Sequence, residues 1–257
     1  MGYLDVIILS VIEGVTEFFP ISSTGHLVLA SRLLGIHPNA FLKSFEIIIQ
    51  LGAICAVLVL YGRTLLLDRT IIARVLIAFI PTAIVGFTFY PFVKGVLLNN
   101  EIITLIALGL GGFVLILFEL FHKEKDQDVS GIGGMNMWQS FLIGVFQTLS
   151  IIPGVSRAAS TIIGGSVLRL SRRTAVEFSF LLALPTMAGA TGLDIIKTSF
   201  AFEAHELGLL FVGLLGSFVT ALIAIKTLLY FIQRHTFISF GVYRILLALL
   251  FWVLVMR

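Results

Sequence analysis

Residues 13–26 read EGVTEFFPISSTGH, and this stretch places two carboxylates, two serines, two threonines and a histidine between apolar flanks. The flanking runs, residues 4–12 and 27–36, read LDVIILSVI and LVLASRLLGI and suit a lipid bilayer. A proline and a Ser/Thr cluster interrupt helical hydrogen bonding. A break at membrane depth is tolerated only where protein encloses it or where it lines a cavity. We therefore predict that residues 4–36 form two half-helices with an enclosed break between them.

The composition indicates the class of protein. The chain has 257 residues, of which 58% are hydrophobic and 12% are charged, and its mean hydropathy is +1.09. A soluble domain carries about 25% charged residues. Apolar runs of about twenty residues recur, long enough to cross a hydrocarbon core of about 30 Å. The sequence therefore predicts an all-α polytopic membrane protein. Its six predicted transmembrane helices lie at residues 43–61, 71–91, 101–121, 174–197, 207–230 and 237–256.

A second interrupted segment lies at residues 137–170, where PGVSRAAST breaks another apolar run. It repeats the order of the first segment: a small or polar helix, a proline, a Ser/Thr cluster and an apolar helix, followed by three spans. Such duplication is typical of transporters built from inverted repeats. We predict one membrane domain with inverted repeats at residues 1–122 and 136–257, each beginning with a re-entrant helix hairpin, about 4–36 and about 137–170. The alternative is that each broken segment is one kinked span, which gives eight spans.

Basic residues in the loops orient the chain. If each hairpin enters and leaves the membrane on its own single side, the two sides of the membrane carry unequal numbers of Lys and Arg, and the richer side is cytoplasmic. Three spans per half is an odd number, so the halves run in opposite directions. The first hairpin then dips in from outside and the second from the cytoplasm. The richer side has Arg63, Arg69, Lys123, Lys125, Arg169, Arg172, Arg173 and Arg234, and the poorer side has Lys43, Lys94, Lys197 and Arg257.

The first break places polar groups on shared helix faces. Glu13 and Glu17 are four residues apart, so both carboxylates lie on one face of the incoming half-helix. Ser22 stands at an N-cap position, and Ser23 and His26 share a face of the outgoing half-helix. The N-terminus of that helix has free N–H groups and a positive dipole end, which suit a phosphate.

The second break supplies a cation. Ser156 can cap the outgoing half-helix, and Arg157 and Thr161 are four residues apart on one face. The planar guanidinium of Arg157 matches phosphate oxygens two at a time. If the two breaks meet, they form an anion cradle with a histidine and two carboxylates beside it. Gln50, inside an apolar run, either bonds to a break or packs between helices.

Each of these groups also has a structural explanation. A glutamate can pair with Arg157 or relay protons, a hydroxyl can bond to its own helix backbone, and a histidine in an apolar run can be a packing residue. The concentration of such groups at two breaks favours a functional site, since ionisable groups inside a membrane are functional by default.

With these motifs the sequence resembles the undecaprenyl-pyrophosphate phosphatase family of the bacitracin-resistance type. The resemblance covers nearly the whole chain and is carried by EGVTEFFPISSTGH and PGVSRAAST, and more weakly by FEIIIQLGAI and EFSFLLALPTMAGA. It implies a membrane phosphatase that removes the terminal phosphate from undecaprenyl (C55) pyrophosphate, recycling the lipid carrier for cell-wall polymers. It also implies a site open to the outer face of the cytoplasmic membrane, and an effect on bacitracin sensitivity.

One position departs from the family pattern. Many members have a serine directly after the arginine, where this chain has Ala158. That hydroxyl is therefore dispensable here, or a neighbour such as Ser160 replaces it.

The predicted mechanism begins with attack on phosphorus by Ser23, whose proton passes to Glu17 or His26. Direct attack by a neutral His26 is the rival. The predicted catalytic residues are Glu17, Ser23, His26 and Arg157. The predicted substrate-binding residues are Glu13, Ser22, Thr24, Gln50, Ser156 and Thr161.

Cofactors and partners follow from the same site. Glu13 and Glu17 are candidates for binding a divalent cation such as Mg²⁺ or Ca²⁺, which often accompanies a pyrophosphate. The predicted partners are polyprenyl pyrophosphate and membrane lipid, without nucleic acid, and a homodimer is left open. The alternative function is a polyprenyl-phosphate flippase that uses the same inverted-repeat site.

Overall fold

The computed structural model describes residues 1–97, 100–125, 128–198 and 202–255. This part of the chain folds into ten α-helices and contains no β-strand beyond an isolated bridge. Helices α1 to α10 are Tyr3–Thr16, Ser23–Leu33, Ala40–Leu67, Arg69–Phe92, Glu101–Phe121, Met137–Thr148, Arg157–Val167, Arg172–Thr198, Ala204–Phe231 and Ile238–Val255. Short π or 3₁₀ turns form at Val93–Leu97, Ile132–Gly134 and Leu149–Ile151.

Six of these helices coincide with the six predicted spans. In the described part of the chain, α3, α4, α5, α8 and α9 are long and apolar enough to cross a membrane, and α10 contributes a shorter apolar helix, Ile238–Leu254. Several helices run past the predicted apolar window; α3 continues to Leu67. Asp68 then caps α4, because its carboxylate accepts from the N–H groups of Thr70 and Ile71. The predicted all-α polytopic membrane architecture is confirmed.

The two interrupted segments form pairs of short helices. At about 1.5 Å per residue, α1 is about 21 Å long and α2 about 17 Å, so neither crosses a core of about 30 Å. Helix α1 packs against α2, and α6 packs against α7. Packing within each pair favours two helix hairpins over two kinked spans. The re-entrant assignment itself stays a prediction.

The two halves of the chain pack crosswise, meaning that helices of one half contact helices of the other half. Helix α1 lies against α9, and α6 lies against α4. Helix α3 contacts both α8 and α9, α4 contacts α8, and α5 pairs with α10. The first helix of each half therefore lies on the fourth helix of the other half, as an inverted repeat would produce. The division at residues 1–122 and 136–257, which separates α1–α5 from α6–α10, stays a prediction.

Glycines permit the crosswise contacts. A Cβ on Gly14 of α1 would overlap the backbone of Ser217 in α9, and a Cβ on Gly144 of α6 would overlap the carbonyl of Ala78 in α4. Small residues at such crossings let two helix backbones approach closely. Each short helix that leads into a break is thus packed tightly against the opposite half of the chain.

Basic side chains tie together one end of the bundle. Arg74 of α4 donates to two backbone carbonyls of the segment that links the halves, at 2.7 and 2.9 Å. Arg172, at the start of α8, pairs with Glu119 of α5 and donates to the carbonyl of His235 after α9. Of the charges used to orient the chain, Arg257 and the side chains of Lys94 and Lys197 lie outside the described residues.

The glycine contact between α4 and α6 can be tested by filling it. We expect Gly144→Leu to lower the free energy of unfolding by about 1–3 kcal/mol or more, because the added side chain has no space beside Ala78. The matched control is Gly62→Ala in α3, where a Cβ meets no atom within 4 Å. The control should be neutral, or stabilising by up to about 1 kcal/mol. Thermal unfolding in detergent measures both, and equal melting temperatures would contradict the packing argument.

Candidate active site

The two helix breaks have the same local geometry. Ser22 is the N-cap of α2 with φ 71°, and Ser156 is the N-cap of α7 with φ 77°. Each hydroxyl accepts a hydrogen bond from a first-turn amide, that of Gly25 at 3.4 Å and that of Ala159 at 3.1 Å. Positive φ is costly for a serine, by about 1–3 kcal/mol, and such strain clusters at functional sites. The two caps give α2 and α7 the same N-terminal geometry, at a helix end that is suited to an anion.

A carboxylate, a hydroxyl and a guanidinium meet between the breaks. The Ser23 hydroxyl donates to Glu17 Oε2 at 2.5 Å. Glu17 Oε1 accepts from Arg157 Nη2 at 3.0 Å, although the two residues are 140 positions apart in the chain. The side chains of Arg157 and Glu17 are only 9% and 5% exposed. The serine proton therefore already points at a buried base.

Helix α8 holds the other arm of the arginine. Arg157 Nη1 donates to the carbonyl of Ser179 at 2.7 Å and to its hydroxyl at 3.2 Å. Thr161 also donates to the Ser179 hydroxyl, at 2.7 Å. The Arg157 guanidinium carbon lies 5.8 Å from the centre of the Phe18 ring, within range of a cation–π contact. Arg157 Nε has no hydrogen-bond partner among the described residues.

A cavity of about 930 Å³ lies next to these groups. On one side it meets the two breaks, and on the other it runs between α4 and α8 past apolar side chains such as Phe79, Phe87 and Met187. Seven of the ten predicted site residues line it: Glu17, Ser22, Ser23, Thr24, Gln50, Ser156 and Arg157.

Three predicted site residues lie outside the cavity lining. Thr161 bonds to Ser179 and to its own helix backbone. Glu13 is fully buried, and neither carboxylate oxygen has a hydrogen-bond partner in the described part of the chain. His26 is buried against α10.

The contacts of His26 define its tautomer. Nδ1 lies 2.7 Å from the carbonyl of Ser22, which can only accept, so Nδ1 carries the proton. Nε2 lies 2.8 Å from the Tyr243 hydroxyl and accepts from it, while the two rings stack with centres 5.5 Å apart. The imidazole lone pair therefore points at Tyr243 and away from the cavity. This geometry favours Ser23 over His26 as the attacking group.

The chain is similar in sequence to a known protein family and to several of its members. The family described as "Bacitracin resistance protein BacA" matches residues 6–250. The chain belongs to the BacA family. Its relatives include proteins named undecaprenyl-diphosphatase from Sulfurihydrogenibium sp., 49% identical over 98% of this chain and 99% of the relative, and from Aquifex aeolicus, 47% identical over 96% of each. A third, from Persephonella marina, bears the same name and is 45% identical over the full length of both.

The alanine that follows Arg157 lies in the interior of the protein. Ala158 is buried at 1% exposure. The Ser160 hydroxyl donates to the carbonyl of Ser156 at 3.0 Å and does not line the cavity. Of the two alternatives, the structure therefore favours a dispensable hydroxyl over replacement by Ser160.

The described residues add no further ligand to the predicted metal site at Glu13 and Glu17. Among the described residues, no group of three or more His, Cys, Asp or Glu could hold a metal ion. Both oxygens of Glu17 already bond to protein groups. Two carboxylates fall short of the six or so oxygen ligands that Mg²⁺ or Ca²⁺ takes. Binding of a cation by Glu13 and Glu17 stays a prediction, and no chemical step below depends on it.

Sequence reasoning missed three residues of this region. Ser179 holds both Arg157 and Thr161, but a serine in an apolar helix carries no signal of its own. Tyr243 covers His26, and no spacing rule pairs residues 217 positions apart. Arg244 did carry a signal, because it is a charged residue within the apolar run of α10, and such residues are functional by default.

The buried ion pair can be tested by a double-mutant cycle. Either Glu17→Gln or Arg157→Met leaves a buried charge without its partner, at a cost of about 3–5 kcal/mol. We expect the double variant to be less destabilised than the sum of the single variants, with a coupling energy of about 1–3 kcal/mol. Reversible unfolding in mixed micelles measures the four proteins.

The matched control is an ion pair on the surface. Arg173 lies 2.9 Å from Glu177, but its side chain is 68% exposed. The same cycle on this pair should give a coupling of only about 0.3–0.5 kcal/mol. Additive effects for Glu17 and Arg157 would show that the buried contact does not form.

Proposed function

We propose that this chain is an undecaprenyl-diphosphatase, a membrane hydrolase that converts undecaprenyl pyrophosphate to undecaprenyl phosphate and inorganic phosphate. Membership of the BacA family and the name shared by its relatives support this reaction. The product is the lipid carrier for peptidoglycan synthesis. Antibiotic resistance follows from the same reaction, because bacitracin binds the substrate that the enzyme consumes. The observation that carries the proposal is the Ser23 hydroxyl bonded to Glu17, beside Arg157.

The first step transfers the terminal phosphoryl group to Ser23. The Ser23 oxygen attacks the terminal phosphorus, its proton passes to Glu17, and the anhydride bond to the lipid phosphate breaks. Undecaprenyl phosphate leaves with the electron pair of that bond. Once Glu17 is neutral, its ion pair with Arg157 is lost. The released arm of Arg157 can then hold the oxyanion that forms on phosphorus.

The second step restores the serine. Water attacks the phosphoserine while Glu17 returns its proton to the Ser23 oxygen as the P–O bond breaks. The protons of the water leave with inorganic phosphate, so Ser23 is again a hydroxyl and Glu17 again a carboxylate. The N-termini of α2 and α7 are placed to hold the phosphate oxygens, because the cap and first-turn residues Ser22, Ser23, Ser156 and Arg157 line the cavity and a helix N-terminus favours an anion.

The lipid tail fits the apolar part of the cavity. The space between α4 and α8 ends among side chains that are largely exposed on the outside of the bundle, such as Ile84, Phe87 and Ile196. A prenyl chain can therefore run from the breaks into the bilayer between these helices. Tyr90 donates to Asp194 at 3.0 Å across this mouth.

The direction of the mouth supports a site on the outer face of the cytoplasmic membrane. The cavity residues of α4 run from Phe79 to Tyr90 and those of α8 from Thr186 to Ile196, toward the C-terminal end of each helix. The basic end of the bundle is at the opposite ends of these helices, near Arg69 and Arg172. Since the end richer in Lys and Arg is cytoplasmic, the cavity opens outward.

The crosswise packing supports inverted repeats within this arrangement, with hairpins that enter from opposite leaflets. A flippase is not favoured, since the relatives are named for hydrolysis and the cavity holds a serine bonded to a base. A homodimer stays a prediction that light scattering of the detergent-solubilised protein would test.

Hydrolysis and the role of Arg157 can be tested together. We expect the purified protein to release inorganic phosphate from farnesyl pyrophosphate. Arg157→Lys keeps the charge but loses the fork that reaches both Glu17 and Ser179, so kcat/KM should fall about 100-fold. Arg173→Lys, on the surface, serves as the matched control with wild-type turnover. A folded but inert wild-type protein would favour transport, and normal turnover by Arg157→Lys would remove the bidentate contact from the mechanism.

The identity of the nucleophile can be tested by trapping. Ser23→Ala should lose about 10³-fold or more in kcat. His26→Ala should lose only about 5- to 10-fold, the value of one hydrogen bond that supports the Ser22 cap. Rapid acid quenching with substrate labelled in the terminal phosphate should trap an acid-stable phosphoserine. An acid-labile phosphoenzyme that disappears in His26→Ala would instead assign the attack to His26.

A further inference from the structure

Arg244 makes an unusual set of contacts inside the bundle. Its side chain is fully buried in α10, and all of its hydrogen bonds end on backbone carbonyls. The guanidinium has five N–H groups, and five carbonyls accept from it. They belong to Leu108 at 3.1 Å, Pro20 at 3.2 Å, Val155 at 3.0 Å, Ala107 at 3.2 Å and Gly154 at 2.8 Å.

These carbonyls come from three separate parts of the chain. Pro20 lies in the break between α1 and α2. Gly154 and Val155 lie in the break between α6 and α7, and the remaining two acceptors lie in α5. Carbonyls at a break have no partner within a helix, and hydrocarbon offers them none. One side chain therefore satisfies carbonyls of both breaks at once.

The glycines of α5 make this reach sterically feasible. A Cβ on Gly111 would overlap the Arg244 guanidinium, and a Cβ on Gly112 would lie 3.0 Å from Arg244 Cβ. Gly154 has φ +93°, and a Cβ there would overlap the carbonyl of Thr104 in α5. The space around the guanidinium is thus kept open by residues without side chains.

We propose that Arg244 is a positioning residue that holds the two breaks at a fixed separation and so sets the distance between Ser23 and Arg157. Pro20 is three residues before Ser23, and Gly154 is three residues before Arg157. A shift of either break moves one member of the catalytic pair relative to the other. Displacements of about 1 Å at a reacting centre cost about 100-fold in rate. The kinetic consequence rests on the proposed phosphatase function, whereas the clamp itself does not.

The test compares Arg244→Lys with Arg74→Lys. An ammonium has three N–H donors at one point, so it cannot bond to both breaks and to α5 together. Arg74 also donates to backbone carbonyls, but at the basic end of the bundle, away from the breaks. For Arg244→Lys we expect kcat on farnesyl pyrophosphate to fall about 100-fold with KM little changed. Arg74→Lys should leave both constants as in the wild type.

Inhibition by vanadate separates positioning from simple destabilisation. Vanadate imitates the five-coordinate phosphorus of the transition state, so its inhibition constant depends on the geometry between Ser23 and Arg157. We expect this constant to rise in parallel with the fall in kcat for Arg244→Lys. If the variant merely contained less folded protein, apparent kcat would fall while the vanadate constant stayed at the wild-type value, and the proposal would be overturned.

Hydrogen exchange gives a readout that needs no activity. Peptides covering residues 17–25 and 150–158 contain the two breaks. Both peptides should exchange faster in Arg244→Lys than in the wild type, and both should exchange at the wild-type rate in Arg74→Lys. Faster exchange at only one break, or at neither, would contradict the clamp. If the wild type released no phosphate, the proposed function would fail while exchange still decided the role of Arg244.

A second variant covers the case in which Arg244→Lys does not fold. Gly111→Ala keeps Arg244 but places a methyl group against its guanidinium. It should reproduce the same kinetic and exchange changes in a milder form. Gly109→Ala, where a Cβ meets only the Ala248 methyl at an ordinary 3.5 Å, is the matched control and should match the wild type. Equal behaviour of these two variants would count against the proposal.

Discussion

The polar backbone at the two helix breaks needs hydrogen-bond partners, because hydrocarbon supplies none. The partners come from within the fold. Ser22 and Ser156 accept from first-turn amides of α2 and α7, and Arg244 donates to carbonyls of both breaks. Helices α5, α9 and α10 contact the two hairpins and enclose the breaks. The site is thus a consequence of how the bundle satisfies its own broken backbone.

The same enclosure explains how charges are kept in the site. A carboxylate and a guanidinium that are each almost fully buried would be costly if separate. Here Glu17 accepts from both Ser23 and Arg157, and the second arm of Arg157 ends on Ser179. The resting pair stabilises both charges, and proton transfer to Glu17 would release the arginine for the phosphate. One contact thereby links the stability of the resting site to its chemistry.

The site could be predicted from the sequence as far as local spacing reaches. The i, i+4 relation of Glu13 and Glu17 predicts one shared helix face, yet only Glu17 lines the cavity, because Glu13, one turn earlier, is fully buried. Ser23 and His26 likewise share a face of α2, but Tyr243 from α10 occupies the space in front of the imidazole. Spacing indicates a direction for a side chain and says nothing of the neighbour that it meets.

The amino-acid sequence alone determined the membrane class, the positions of six apolar helices, the two breaks near Pro20 and Pro153, and the concentration of ionisable groups at those breaks. These features depend on hydropathy, on proline and on helix caps, which act over a few residues. Only the tertiary structure decided that Glu17 meets Arg157 and that Arg244 reaches both breaks. Those contacts join residues that are 140 and 224 positions apart. These contacts depend on how separate helices pack against one another through faces that contain glycine. Local sequence patterns do not determine that packing.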